Sequence, residues 1–366
     1  MFERVDKTLL TITVVLLIGG LVIFSSAALG VLSVNEAKFY SVIKTQLIYA
    51  LIGGSIMLYV GSLIPYNFYR KYAYILFFGA LVLTTLVFIP ALSQYHGGAH
   101  RWIDIGFISF QPSELLKFSF VVAVAFWCSR YRNNFRDWKF GLLPFLGALG
   151  VVSIILLMQP DFGTWTVTIM SAFAAYFVGG ARMKHIYILV LCGFVGIAVL
   201  IAVRPYMLER IKTFVNNTHD PRGSSWQLNQ SLIALGSGGL TGRGLGQSVQ
   251  KFNYLPEPIG DSVFAVLGEE IGFFGVIILI VLYGILGWRG YIISMTSSDQ
   301  FGRLLAIGIT VIILVQASLN ISSMLGIMPL TGVPLPLVSH GGTALMVILF
   351  EIGVLLNISK NSQNLV

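Results

Sequence analysis

Ten apolar runs follow one another along this chain, at 8–29, 45–64, 69–92, 114–128, 140–158, 162–179, 185–203, 261–288, 303–325 and 338–358. Most come close to the ~20 residues a helix needs to cross a hydrocarbon layer about 30 Å thick. In hydrocarbon every backbone polar group must be satisfied internally, which leaves helices or closed barrels. The runs predict an all-α integral membrane protein of ten transmembrane helices. The chain is 56% hydrophobic and only 10% charged, against about 25% charged in soluble domains. No soluble module separates the runs, so residues 1–366 read as one polytopic membrane domain. The first run follows Arg4 and Lys7 and imitates a signal peptide, with Ser26-Ala27-Ala28 in the place of a cleavage site. It continues through Leu29 and reads as an uncleaved first helix.

Lys and Arg in short loops mark the cytoplasmic side. With the N-terminus inside, the inner segments hold thirteen basic residues, Arg70, Lys71, Arg130, Arg132, Lys139 and Lys360 among them. The short outer loops hold three, Lys38, Lys44 and Arg101. Both termini are expected in the cytoplasm, and the long 204–260 loop between helices 7 and 8 outside. These orientation signals account for the formal charge of +8, so no nucleic-acid partner is expected. Cys128 and Cys192 lie in apolar runs without CxxC or metal spacing and read as buried, inert thiols.

Loops of this length are usually functional. This one is polar and Gly-rich, includes a short amphipathic stretch at Trp226–Leu235, and ends where the eighth run begins at Asp261. Ionisable residues at membrane depth are expensive and default to function. The candidates are Glu114, Asp161, Asp261, Glu269, Glu270 and Glu351, with Lys117. Glu114 and Lys117 stand three apart and can pair on one helix face, with Ser113 as a candidate cap. Asp161 and Asp261 each open a run, where an acid can simply complement the helix dipole. Pro256, Glu257 and Pro258 stiffen the approach to Asp261. Glu269 and Glu270 lie about 12 and 13.5 Å deeper at 1.5 Å per residue, too far to share a bond with Asp261, and one is expected to pair inside the bundle. Gly236 to Gly246 superficially imitate a phosphate loop, but no strand precedes them, and a dinucleotide-binding reading fails. Their amides, beside Arg243 and Lys251, could still meet a diphosphate. The five histidines are scattered and no HExxH, GxSxG or Cys/His cluster occurs.

Several motifs in series then resemble one family. They are Gly98 to Ile103, FQPSELLK at Phe110–Lys117, QPDFGT at Gln159–Thr164, GQSVQKFNYLPEP at Gly246–Pro258 followed by Asp261, GEE at Gly268–Glu270, and MPLTGVPLPLVSHGG at Met328–Gly342. Together they span essentially the whole chain, and they are similar to the SEDS proteins of bacterial shape, elongation, division and sporulation, FtsW and RodA. The QSVQK run is nearer the division member. The resemblance implies a ten-helix peptidoglycan glycosyltransferase in the bacterial cytoplasmic membrane. Such an enzyme polymerises lipid II on the outer face, beside a class B penicillin-binding protein that cross-links the strands and other divisome or elongasome proteins. It places the family's essential aspartate on Asp261 and its supporting residues on Glu114, Lys117 and Asp161. Many relatives have His-Thr where this chain has Ile259-Gly260, and Tyr where it has His340.

The chemistry fits. A sugar hydroxyl is a poor nucleophile until a base takes its proton, and Asp261 is the expected base for displacement with inversion. A polyprenyl diphosphate leaving group needs cations, from Arg101, Lys117, Arg243, Lys251 or a divalent ion, Mg or Mn, whose ligands the sequence does not name. The rival readings are a flippase for the same lipid-linked precursor and a non-catalytic scaffold. A flippase needs polar groups near the midplane and on both sides, whereas Asp161, Glu114, Lys117 and Asp261 crowd the outer ends.

Overall fold

A computed structural model describes residues 5–33, 35–96, 99–104, 109–132, 135, 137–203, 208, 210, 212, 214 and 224–361. Eight helices are long and apolar enough to cross a membrane. They are α1 (Lys7–Leu32), α2 (Glu36–Leu63), α4 (Pro112–Arg130), α5 (Trp138–Met158), α7 (Met183–Ala202), α9 (Val263–Thr296), α10 (Gln300–Met324) and α11 (Thr343–Lys360). Two shorter apolar helices, α3 (Ala73–Phe88) and α6 (Phe162–Val178), fall where two further runs were expected. A short helix spans Tyr66–Lys71, and a further helix, α8 (Ser224–Gly238), lies inside the long loop. The chain is a multi-pass membrane protein.

The mostly buried helices α4, α10 and α11 form the centre, while α2, α5 and α7 present most of their surface outward. Helices in lipid gain little from burying apolar surface, so small residues that let backbones approach drive their packing. Gly61 of α2 and Gly353 of α11 meet in this way, and a Cβ on either would strike the other helix's backbone. Asp6 ties the N-terminus down. Its carboxylate caps α1 at the Leu9 amide and accepts from Arg289 of α9 at 2.7 Å, while its own amide donates to Ser359. Ser359 and Lys360 thus belong to α11 and not to a loose tail, and 362–366 lie outside the described residues.

The sequence reading of an all-α chain needs one correction. Ser93–His96 (β1), Ala99–Asp104 (β2) and Ser109–Phe110 (β3) form a small antiparallel sheet in the order β1-β2-β3, leading into α4. The run is too short and irregular to show alternation: the β1–β2 register slips between Gln94 and Tyr95. Cys128 is buried as expected, but Cys192 is exposed on α7.

The α8 helix is longer than the amphipathic stretch and does not lie free on a surface. Leu228 and Ala234 are buried, and Gly238 packs directly on the backbone of Gly268 in α9. After α8 the chain inserts into a break in α9 itself. Gly272 has φ +74° and ψ −166°, outside the helical region. The amides of Arg243 and Gly244 donate to the freed carbonyls of Glu269 and Glu270, both at 3.0 Å. In the other direction Phe273 and Phe274 donate to the carbonyls of Gly239 and Leu240, at 2.9 and 3.2 Å. Irregular backbone at membrane depth survives only when buried protein groups satisfy it, and the Gly-rich loop supplies those groups.

Candidate active site

Asp261 lies two residues before α9 begins, in a turn and not in the helix. Ser262 occupies the N-cap position, and no side chain caps the helix there. The turn is built from the preceding motif. Glu257, between two prolines, takes φ +46°, a left-handed conformation that strains a residue with a Cβ. Its carbonyl receives the amides of Gly260 and Ser262, at 3.0 and 3.3 Å. The SHGG segment clamps the same turn, with Ser339 Oγ donating to the Gly260 carbonyl at 2.6 Å and the His340 amide to Ile259 at 2.8 Å. The His340 ring is held elsewhere, against Gln46 Oε1 at 2.9 Å and stacked on Phe24.

Around the carboxylate, Gly332 closes one side: a Cβ there would lie 4.0 Å from Asp261 Oδ2, and its φ of +68° suits glycine. Oδ1 is shielded from solvent and has no hydrogen-bond partner among the described residues. Burial pushes the Asp261 pKa up to about 6, and the charge of Glu257 adds to the rise. The Gln227 side chain and Arg210 oppose it. A carboxylate titrating there, just below neutrality, is suited to general-base work at neutral pH.

Glu114, Lys117, Asp161 and Arg101 form a second group, at the N-terminal ends of α4 and α6. Lys117 Nζ stands 2.8 Å from Glu114 Oε2 and donates to Gln316 Oε1 at 2.9 Å, with both charges buried. Gln316 of α10 passes the contact on, donating to the Pro334 carbonyl at 3.1 Å. One turn along, Asn320 donates to the carbonyls of Val333 and Asp261, both at 2.8 Å. The Glu114–Lys117 pair therefore reaches Asp261 through two polar side chains of α10 and the 333–334 backbone. Asp161 is the dipole-complementing acid that Asp261 is not. Its Oδ1 caps α6 at the Thr164 amide, and Oδ2 accepts from Gln111 and Ser113. Ser113 is thus turned towards Asp161 instead of capping α4, which starts on Pro112 after Gln111. Arg101 grips the turn just before, donating to the carbonyls of Gln159 and Pro160 at 3.1 and 2.5 Å.

The structure puts Arg243 and Lys251 in a third network, and both Glu269 and Glu270 are paired, not one. Lys251 is fully buried and spends its three N–H donors on Glu270 at 2.8 Å, Ser26 at 3.0 Å and the Gly246 carbonyl at 2.8 Å. Glu269 accepts from Ser248 Oγ and the Val249 and Gln250 amides, with Arg243 at 3.5 Å. With its donors consumed and desolvated, Lys251 faces protein, not a diphosphate. The amides of Arg243 and Gly244 are consumed in the α9 break as well. Arg243 keeps part of its guanidinium exposed.

Sequence reasoning missed Gln227, Gln316, Asn320 and Ser339, which hold the site, and Arg210, whose guanidinium donates to the Leu330 carbonyl at 2.5 Å. Gln316 and Asn320 carried a usable signal, since two amides four residues apart in an apolar run share a helix face. Among the described residues no group of three His, Cys, Asp or Glu side chains could hold a metal. Mg²⁺ is commonly held by one or two carboxylates together with substrate phosphates. Glu257, a carboxylate whose charge acts on Asp261, fits that sparser arrangement.

Comparison with known proteins agrees with this architecture. The family model for the FtsW, RodA and SpoVE cell cycle proteins matches residues 7–364. Stage V sporulation protein E of Bacillus subtilis is 38% identical over 98% of both chains. The probable peptidoglycan glycosyltransferase FtsW of Nitrosomonas europaea is 38% identical over 97% of this chain and 93% of its own. Among solved structures, a chain of a peptidoglycan synthase complex that coordinates polymerization and crosslinking aligns over 98% of both chains with TM-score 0.80 and 25% identity. The rod shape determining protein RodA of Thermus thermophilus aligns over 99% of both with TM-score 0.73, also at 25% identity. A match over nearly the full length, on a fold with the same helical plan, decides the classification: this chain belongs to the FtsW/RodA/SpoVE family of cell cycle proteins.

Proposed function

We propose that this protein is a peptidoglycan glycosyltransferase that polymerises lipid II, with Asp261 as its general base. The observation that carries the reading is the Asp261 carboxylate itself. Its backbone is fixed by Asn320 at the Asp261 carbonyl, by Ser339 at the Gly260 carbonyl and by the strained Glu257 turn, while one carboxylate oxygen is unpartnered among the described residues and burial pushes the pKa up to about 6. In the reaction Asp261 takes the proton of the acceptor sugar hydroxyl. The new C–O bond forms on the face of the anomeric carbon opposite the leaving group, so the configuration inverts, and the polyprenyl diphosphate departs with the bonding electrons. Arg210, whose charge acts on Asp261, fits the diphosphate better than the enclosed Lys251. Glu114 and Lys117 act through Gln316 on the 333–334 backbone, and Asp161 and Arg101 fix the helix ends beside them. A divalent cation, if held by Glu257 together with substrate phosphate oxygens, would neutralise diphosphate charge and leave Asp261 Oδ1 to take the proton.

In this reading the ten apolar segments all span the bacterial cytoplasmic membrane. Both termini lie in the cytoplasm, and the 204–260 loop and Asp261 face outward. The synthase complex among the structural neighbours supports a class B penicillin-binding protein as the partner that cross-links the product. The deciding experiment is polymerisation of purified lipid II by the wild-type protein and Asp261→Asn, with and without a cognate transpeptidase and divalent metal. The amide is isosteric but cannot take the proton, so turnover should fall by roughly 10²–10⁴-fold with the fold intact. Normal polymer from the variant would remove Asp261 as the base. No polymer from either protein, together with transbilayer movement of lipid II in vesicles, would favour the flippase.

A further inference from the structure

A cavity of about 390 Å³ opens between α3, α4 and α5, within the roughly 300–1,000 Å³ of ordinary ligand pockets. Its floor is aromatic and buried: Phe77, Phe120, Phe145 and Trp127. Its mouth is formed by the exposed Tyr74 and Phe78, so it opens towards the lipid-facing surface. Tyr74 supplies the hydroxyl in an otherwise almost wholly apolar lining, which suits a hydrocarbon chain and no sugar or peptide.

The cavity runs from the middle of α4 towards the end opposite Asp261: Phe120 lies six and Trp127 thirteen residues beyond Glu114, about 9 and 20 Å along a helix. The end it occupies is basic. Arg130 stands over the Phe126 ring at 6.0 Å, Phe126 meets Tyr74 edge to face at 5.3 Å, and Tyr74 lies in the field of Arg130. Tyr131 stacks on Phe140, carrying the rim across to Lys139 at the start of α5. Arg130, Arg132 and Lys139 are exposed, and none forms an ion pair among the described residues, Asp137 included.

We propose that this cavity binds an anionic phospholipid, one acyl chain on the aromatic floor and the phosphate on Arg130 and Lys139. The charge at the rim selects the occupant. A zwitterionic lipid would fill the same volume, but its own ammonium group offsets the attraction of its phosphate to the uncompensated cations, whereas each basic residue near an anionic headgroup is worth roughly fivefold in affinity. The polyprenyl substrate is the wrong occupant, because its diphosphate belongs at the other end of α4. The site does not depend on the reaction assigned to Asp261.

The test is photolabelling of the full-length protein in mixed micelles with phosphatidylglycerol carrying a diazirine in its acyl chain. Phosphatidylcholine with the same chains is the comparison, and labelled peptides are mapped. Phosphatidylglycerol should label Tyr74, Phe78, Trp127 and Phe145, about tenfold above phosphatidylcholine, and unlabelled phosphatidylglycerol should compete. Arg130→Gln with Lys139→Gln should erase the preference while leaving some labelling. Ala148→Phe, which fills the cavity, should abolish labelling in protein that stays monodisperse. If that variant does not fold, the wild-type comparison of the two lipids decides alone. Equal labelling by both lipids, labelling spread evenly over outward residues such as Ile75 and Ile154, or displacement by polyprenyl phosphate and not by phosphatidylglycerol would each overturn the proposal.

Discussion

Two aspartates of the same apparent type divide into different roles once their surroundings are known. Asp161 has both carboxylate oxygens engaged, by Thr164 on one and by Gln111 and Ser113 on the other, and behaves as a cap. Asp261 has an oxygen with no partner and is made basic by burial. Its charge state sets the direction of two pH effects. As a base it works only when deprotonated, so polymerisation should rise through a limb near pH 6. As a folded-state acid with a raised pKa, it contributes stability below the ordinary carboxylate range, about pH 4, and loses that contribution as pH rises to about 6. Glu257→Gln removes a negative neighbour and should move the acid limb of kcat/KM to lower pH. A limb that stays put, or moves up, would mean that Glu257 does not act on Asp261 through charge. Glu351 poses the opposite case. It is wholly buried in α11, and neither carboxylate oxygen has a hydrogen-bond partner among the described residues. An unsatisfied buried polar group costs about 1–3 kcal/mol, so Glu351→Met should raise the thermal unfolding temperature in detergent. A lowered temperature would show that Glu351 has a partner that matters.

At the scale of elements, the α9 break explains what the Gly-rich segment does with the amides that could have met a diphosphate. Gly238, Gly242 and Gly272 are small because backbones touch there: a Cβ on Gly242 or Gly272 would overlap the opposing main chain, and both have positive φ. The sequence signal for a phosphate-cradling loop and for a loop that plugs a helix is the same, a run of glycines with free amides. Only the partner differs, and the partner is tens of residues away. Gly272→Ala should therefore destabilise the fold by more than the ~1 kcal/mol of an ordinary glycine exchange, read as a lower unfolding temperature and faster proteolysis within 239–246. An alanine that left both unchanged would mean that α9 is not broken at this point. Element positions were legible where composition dictates them, since each apolar run has a helix on it. The small sheet at 93–110 was not, because strands this short pair by hairpin geometry and leave no periodicity. The Glu114–Lys117 pair was legible because both members sit one turn apart. The enclosure of Lys251 was not legible because Glu270 and Ser26, the groups that consume it, lie on other elements.

Across the whole molecule the candidate catalytic groups are gathered at one end of the bundle, with Asp261, Glu257 and Gly332 beside the helix ends of Glu114 and Asp161 and the strand residue Arg101. The other end carries exposed Arg130, Arg132 and Lys139. This polarity is what separates a surface polymerase from an alternating-access transporter, whose binding groups gather at mid-depth. The buried polar contacts along α10 and α11 do not make such a path, since Gln316 and Asn320 are spent on backbone carbonyls and Glu351 stands alone. If the basic end is cytoplasmic, the two ends can be told apart chemically in intact cells. In a chain carrying Cys128→Ala and Cys192→Ala, Tyr254→Cys lies exposed beside the Asp261 turn and Arg132→Cys at the basic end. A membrane-impermeant maleimide should modify the first in whole cells and the second only after the membrane is opened. The reverse pattern would put Asp261 in the cytoplasm, where a polymerase of outward-facing precursor could not work, and would return the precursor-transport reading to first place.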